Sequence, residues 1–362
     1  MSTRDARVTD PRAGNGLGGR LRAYVALAKP RIVELLLITT VPAMIVADGG
    51  WPDTVLVLAV LAGGTLSAGG ANAINNYLDR DIDVVMRRTA RRPLPAELVA
   101  PGRALAFGLL LGAAGFVVLW WTANLLAGLL ATGALAFYVV VYTALLKRST
   151  VQNIVIGGAA GAAPVLVGWA AVTGGLDPAA WVMFAIVFYW TPPHFWALAV
   201  RYRKDYARAG VPMLPVVAGV EATARHVVVY SVLLAAVSLL LHPAAAMGWI
   251  YPAAALGLGA GFVAGAVRLI GDPEGAMRLF AYSNLYLALL FAAMALDALA
   301  APGHAGGAAM FVVAAATAIA AQLAVLWREV RVARSVATDP GWSLLPTLLL
   351  VVLVVAVGAR VL

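Results

Sequence analysis

Long apolar runs, interrupted at intervals by short clusters of charge, set the pattern of this chain. Eleven can be drawn, over residues 29–47, 54–77, 104–121, 124–146, 151–172, 180–200, 226–241, 251–270, 277–299, 308–327 and 342–357. Most approach the roughly 20 residues that an α-helix needs to cross a hydrocarbon core. The pattern predicts an all-α fold, a polytopic membrane helical bundle. Pro30 falls at the first turn of the first helix, where its missing N–H costs nothing. The fifth run is crowded with Gly157, Gly158 and Gly161, small residues that let membrane helices approach closely.

Charge adds an orientation. Of the 26 Lys and Arg residues, all but Arg360 fall in the N-terminal segment or in the connections after even-numbered helices. Under the positive-inside rule, the N-terminus and those connections face the cytoplasm. Composition agrees with a membrane protein: 62% hydrophobic and 12% charged residues, with mean hydropathy +0.89. The net charge of +9 suits an anionic cytoplasmic leaflet and membrane lipid as a partner, and calls for no nucleic acid. The absence of cysteine removes disulfides, thiolate metal sites and covalent haem attachment. Residues 1–21 read as a disordered cytoplasmic N-terminus with no cleavable signal peptide. Trp51, Trp120, Trp121, Trp249 and Tyr251 fall near predicted interfaces, as aromatic belts do.

One stretch departs from the apolar pattern most sharply. Asn75, Asp79 and Asp83 stand at i, i+4 and i+8, followed by Arg87, Arg88, Arg91 and Arg92. On a helix the three form one polar stripe roughly 12 Å long. A lone aspartate there would read as a solvated cap. Stacked carboxylates repel, however, and a bridging cation resolves the repulsion. Mg²⁺ prefers one or two carboxylates plus phosphate oxygens. The stripe predicts a magnesium–diphosphate site.

A second polar concentration follows helix six, on the same predicted face. It runs from Tyr189 through Pro192, Pro193 and His194 to Arg201, Arg203, Lys204, Asp205, Tyr206 and Arg208. The two prolines predict a break within the membrane, tolerated where backbone lines a cavity. His194 sits directly after it; a satisfied core histidine is the plainer alternative. Lys147 and Arg148 lie in the cytoplasmic connection between the two concentrations. The basic residues can clamp phosphate or propionate oxygens, although positive-inside topology alone accounts for many of them.

These blocks resemble the intramembrane UbiA-type prenyltransferase superfamily. Asn75 through Asp83 resembles its first aspartate-rich motif. The segments from Trp190 to Trp196, Lys204 to Tyr206 and Gly210 to Pro215 resemble its haem-farnesylating branch, as do Lys29 to Arg31, Arg87 to Pro95, Tyr142 and Thr143 with Leu146 to Thr150, Asn153 to Gly158 and on to Gly168 and Trp169, and Tyr282 with Ser283. The resemblance covers about residues 22–300. It implies a prenyltransferase domain over 22–301, a nine-helix core, with 302–362 as a two-helix C-terminal extension. Two departures accompany it. A second multi-aspartate motif is missing, with only Asp205 in its place, and the last two helices exceed the family pattern.

The implied activity is transfer of the farnesyl group of farnesyl diphosphate to a vinyl group of haem B, with addition of water, giving haem O for terminal oxidases. The resemblance implies Mg²⁺ on Asn75, Asp79 and Asp83, the catalytic stripe. Diphosphate would fall to Arg87, Arg88, Lys147, Arg148 and Lys204, and the haem side to His194 and Arg201, with Asp205 and Tyr206 in the second loop. It further implies a bacterial-type plasma membrane and a downstream haem A synthase as partner. A sister enzyme using a quinone precursor or chlorin, and a secondary transporter with broken helices, are the alternatives.

Overall fold

The computed structural model describes residues 16–300, 314–324 and 344–361. Every regular element among them is helical. In chain order they are α1 (Leu17–Ala28), α2 (Pro30–Asp48), α3 (Thr54–Leu78), α4 (Arg80–Val85), α5 (Pro101–Thr122) and α6 (Leu125–Ala136), which continues as a π-helix over Phe137–Leu146. Then come α7 (Asn153–Thr173), α8 (Pro178–Arg201), α9 (Arg203–Arg208), α10 (Leu214–Val217), α11 (Gly219–Ala244), α12 (Ile250–Gly271) and α13 (Ala276–Ala300). The last two are α14 (Ala314–Ala324) and α15 (Leu344–Val361). Among the described residues, eight helices are long and apolar enough to cross a membrane.

Local chemistry marks the helix starts. Asp53, Asn124 and Asp177 accept hydrogen bonds from the first-turn amides of α3, α6 and α8. Prolines occupy the first turn of α2, α5 and α8. The main core surrounds α8, which is mostly buried and packs against α7, α11 and α13.

A close backbone approach joins α3 to α5. A Cβ on Gly70 would sit 2.6 Å from the Gly108 carbonyl oxygen, and one on Gly108 would sit 2.9 Å from that of Gly70. Only residues without side chains permit this contact. It fixes the α3 turn just above Asn75, and so the height of the polar stripe.

Several expectations are corrected. Residues 17–21, expected to be disordered, begin α1, because Ala23 and Leu27 further along that helix find a buried seat beside Ala73 and Ala104; residues 1–15 lie outside the described residues. The prolines at 192 and 193 do not break α8. Their fixed φ is helical, Thr191 donates to the Val187 carbonyl at 2.9 Å, and packing on three sides holds the helix. The seventh apolar run, α11, starts at Gly219 rather than 226, since Glu221 and Arg225 pair one turn apart and extend it. Tyr251 is a core residue, its hydroxyl donating to the Ser238 carbonyl at 2.6 Å; the four tryptophans are exposed.

The C-terminal residues do not form a separate core. Leu350, Leu353 and Val357 of α15 join the main core. The Tyr189 hydroxyl of α8 donates to the Pro346 carbonyl at 2.6 Å.

Candidate functional site

The stripe forms, with a kink in it. α3 ends at Leu78 and α4 begins at Arg80, with Asp79 between them at φ −87°, ψ 0°. The i→i+4 ladder nevertheless carries through, from Asp79 N to Asn75 O at 2.9 Å and from Asp83 N to Asp79 O at 2.8 Å. Asn75, Asp79 and Asp83 therefore stay on one side. They are buried to 3%, 0% and 1% exposure, far too deep for a solvated cap.

Each member meets a cation. Lys147 Nζ donates to Asp79 Oδ2 at 2.5 Å. Arg92 Nη1 reaches both oxygens of Asp83, at 3.0 and 2.7 Å. Lys29 Nζ donates to Asn75 Oδ1 at 2.8 Å, and Asn75 Nδ2 donates in turn to Asp79 Oδ2 at 2.7 Å. Buried carboxylates need such partners, because an unpaired charge away from water costs several kcal/mol.

Two local devices deliver the lysines. Lys29 stands between α1 and α2 in the left-handed region, at φ 51°, ψ 62°. Pro30 disfavours the right-handed helical region at the preceding residue. Asn72 and Asn76 of α3 donate to the carbonyls of Ala28 and Leu27, at 3.2 and 3.1 Å, and tie this junction to the stripe. Lys147 caps the π-helix, its amide reaching back to Tyr142 O at 2.8 Å. That wider winding also places Thr143 Oγ1 at 3.2 Å from Asn75 Nδ2. π-segments recur at functional sites, where they re-aim side chains.

Burial lowers the Lys29 pKa well below the ordinary lysine value, with Arg92 and Lys147 adding repulsion. Burial also lowers that of Lys147, with Asp79 opposing. Asp81 points elsewhere. It makes a two-pronged, mostly exposed pair with Arg148 at 2.6 and 2.7 Å, on an open cleft that also involves Leu78, Arg80, Thr143 and Ala144. The Arg148 hydrogen bond lowers the Asp81 pKa to about 2, and the same bond raises that of Arg148.

Of the residues singled out from sequence, the structure brings Lys147 onto the stripe and Arg148 to 3.9 Å from Asp79 Oδ1. Arg87, Lys204 and Arg201 are exposed. Arg88 is exposed too, its guanidinium 5.6 Å from the Tyr202 ring centre. Asp205 is buried and paired with Arg208 one turn on, not with the stripe. Tyr206 is buried, and its hydroxyl has no hydrogen-bond partner among the described residues. Burial raises its pKa, and Arg88 and Arg92 lie near enough to oppose the rise. His194 is half-buried on α8 between the Trp190 and Phe280 rings.

Sequence reading missed Lys29, Arg92 and Thr143 as members of the site. Lys29 and Thr143 lie 46 and 68 residues from Asn75, so only tertiary structure joins them. Arg92 stood among four arginines with nothing to single it out.

The donor set fits a hard divalent cation. Asp79 Oδ1 is buried without a hydrogen-bond partner among the described residues, an acceptor left open beside Asn75 and Asp83. Among the described residues no cluster of three acidic or histidine side chains occurs. Two carboxylates and an amide oxygen leave coordination for a ligand's phosphate oxygens to complete.

A bundle of membrane-length helices with a buried acidic stripe, ringed by cations at one end of α3, defines an intramembrane enzyme acting on a phosphorylated apolar substrate. The chain belongs to the UbiA prenyltransferase family, whose signature matches residues 36–286. It is 52% identical over 302 residues to a protein named protoheme IX farnesyltransferase from Mycolicibacterium paratuberculosis, covering 82% of this chain and 97% of that one. A protein of the same name from Gloeobacter violaceus is 54% identical over 286 residues, covering 78% and 94% of the two chains. Among solved structures, a digeranylgeranylglyceryl phosphate synthase superposes with a TM-score of 0.64 at 18% identity, over 77% of this chain and 99% of its own. A UbiA homologue from Archaeoglobus fulgidus, bound to DMAPP and Mg²⁺, gives 0.55 at 17% identity, over 75% and 98%. At such identities the superpositions speak for the fold.

Proposed function

We propose that this chain transfers the farnesyl group of farnesyl diphosphate to a vinyl group of haem B, with addition of water, releasing haem O and diphosphate. The buried Asn75–Asp79–Asp83 stripe with its cations, in a chain more than half identical to proteins named for this activity, carries the reading.

Asn75, Asp79 and Asp83 would hold Mg²⁺, as the bound cation in the Archaeoglobus homologue supports; the ion would neutralise the leaving diphosphate. Lys29, Lys147 and Arg92 face the same oxygens. They exchange their contacts with the stripe, amide oxygen for Lys29 and carboxylates for Lys147 and Arg92, for diphosphate oxygens as the allylic C–O bond lengthens, stabilising charge where it develops. The apolar helices accept the farnesyl tail and limit water around the short-lived allylic cation. A vinyl carbon of the porphyrin attacks that cation. The new cation beside the ring takes up water and loses a proton, leaving the hydroxyl group. No protein nucleophile is needed. His194 and Arg201 serve the porphyrin side, and Tyr206 offers a buried hydroxyl. The positive-inside pattern supports a cytoplasmic site, and haem O then passes to a downstream haem A synthase.

The test is mass spectrometry of haem extracted from membranes containing the chain. A farnesyl-plus-water increment on haem B is expected in the presence of farnesyl diphosphate and Mg²⁺. Unmodified haem B throughout would refute the activity.

A further inference from the structure

His194 lies where α8 meets α13, two turns inside the end of α8 marked by Arg201, or about 10 Å deep. Its Nδ1 is 2.6 Å from Ser283 Oγ. The same Oγ is 2.7 Å from the Phe280 carbonyl oxygen. A serine hydroxyl carries one proton and a carbonyl carries none, so that proton belongs to the Ser283–Phe280 bond. The hydrogen between Nδ1 and Oγ must then come from the imidazole. In neutral His194 this fixes the Nδ1–H tautomer and leaves Nε2 with a bare lone pair.

The ring cannot turn away from this arrangement. Trp190 stacks on it at 4.1 Å between centres and 21° between planes, and Phe280 at 4.5 Å and 28°. Trp190 is itself pinned, its indole N–H donating to the Ser283 carbonyl at 2.8 Å. The hydrogen-bond and stacking contacts thus engage the two ring faces and the Nδ1 edge. The one side-chain hydrogen bond of His194 among the described residues is through Nδ1, which leaves Nε2 without a partner, and the residue is half-buried rather than sealed. Arg201 follows at i+7, two turns along and on the same side of α8.

We propose that His194 Nε2 is the axial ligand of the porphyrin iron, and that Ser283 is the positioning residue that holds it ready. This rests on the haem reading of the acceptor. An unprotonated nitrogen cannot donate to a propionate carboxylate, whereas it has the lone pair that a metal takes. A metal-ligating histidine typically gives its other ring N–H to an oxygen, which fixes its orientation and raises its basicity. Ligation here would fix the height of the tetrapyrrole and leave its propionates directed toward the Arg201 end of α8.

The experiment uses the full chain in lipid nanodiscs, titrated separately with ferric haem and with metal-free protoporphyrin IX. The wild type should give the optical and electron paramagnetic resonance signature of imidazole-ligated haem. His194→Ala should lose that signature, regain it on addition of imidazole, and bind haem roughly tenfold or more weakly. Protoporphyrin IX, having no iron, should bind both proteins alike. His194→Gln, which restores bulk and polarity, should behave as His194→Ala. Ser283→Ala should keep ligation but lower the iron–histidine stretching frequency in the ferrous protein, a change that packing loss alone does not produce.

Identical haem spectra in the wild type and His194→Ala would overturn the proposal. So would an equal loss of haem and protoporphyrin affinity, or a His194 variant impaired only in turnover, which would make the residue a base. Haem O formation is measured in the same wild-type preparation. If haem O forms without ligation by His194, this inference alone fails; if none forms, the haem reading beneath it fails.

Discussion

Replacing Asp79 or Asp83 by asparagine keeps the shape of the side chain and removes the charge that Lys147 or Arg92 is placed to meet. Turnover should fall about a hundredfold or more in either variant, the scale of losing one charge-stabilising group from an active site. Asp81→Asn should stay within about fivefold, since its pair with Arg148 is exposed and screened. Equal damage at all three positions in a haem O assay would count against a defined ligand face. Because its pKa is lowered to about 2, the Asp81 pair is fully present above pH 3.8 and fades only as the pH falls toward 2. The lysines behave in the opposite sense. A lysine whose pKa is lowered is charged at low pH and loses its proton earlier on the way up. The KM for farnesyl diphosphate should therefore begin to rise below pH 10.5 in the wild type. Lys29→Arg should flatten that rise, and an unchanged profile would remove Lys29 from diphosphate binding. The Asn75–Asp79–Asp83 stripe was legible because a helical period announces itself within nine residues. Lys29 was not, since its role depends on a left-handed residue folding back over α3.

The glycine contact between α3 and α5 sets the position of everything at the Asn75 end of α3. Gly70→Ala forces a methyl group against the Gly108 backbone, which cannot yield as a side chain can. Overpacking of this kind costs about 1–3 kcal/mol. The expected result is a lower melting temperature in detergent, with part of the activity lost through displacement of Asn75. Gly133→Ala on α6, where a Cβ meets nothing within 4 Å, is the matched control and should be neutral. If the two melt alike, the close approach is not needed. Most membrane-length helices could be read from hydropathy, because lipid demands long apolar helical runs. The π-helical stretch could not, since a run as apolar as Phe137–Leu146 gives no polar stripe from which to read its winding. Nor could the unbroken course of α8, where tertiary packing outweighs the two prolines.

The whole molecule brings its polar concentrations to one predicted face. Single cysteines at Arg88 and Arg203 should react only with reagent on the cytoplasmic side, and labelling of either from outside would invert the topology. Residues beyond 301 lie outside the family resemblance, and among the described residues none of the stripe contacts comes from them. Their packing was not legible, because an apolar helix at the end of a chain does not declare which neighbour it covers. Truncation after residue 301 removes the acceptor of the Tyr189 hydroxyl and uncovers part of the α8 and α11 surface. It should lower thermal stability while leaving haem O formation per inserted molecule near the wild-type rate. Loss of turnover at equal protein level would bring α14 and α15 into the mechanism.

The lysine and arginine partners of the stripe have a consequence for times of ion shortage. Asp79 and Asp83 are already neutralised by the chain's own cations, so a divalent ion is not needed to hold the helices together. Chelation should halt turnover while leaving the melting curve unmoved, and readdition should restore full rate without refolding. A cell short of magnesium would then keep a standing stock of intact, idle protein and resume synthesis as soon as the ion returned.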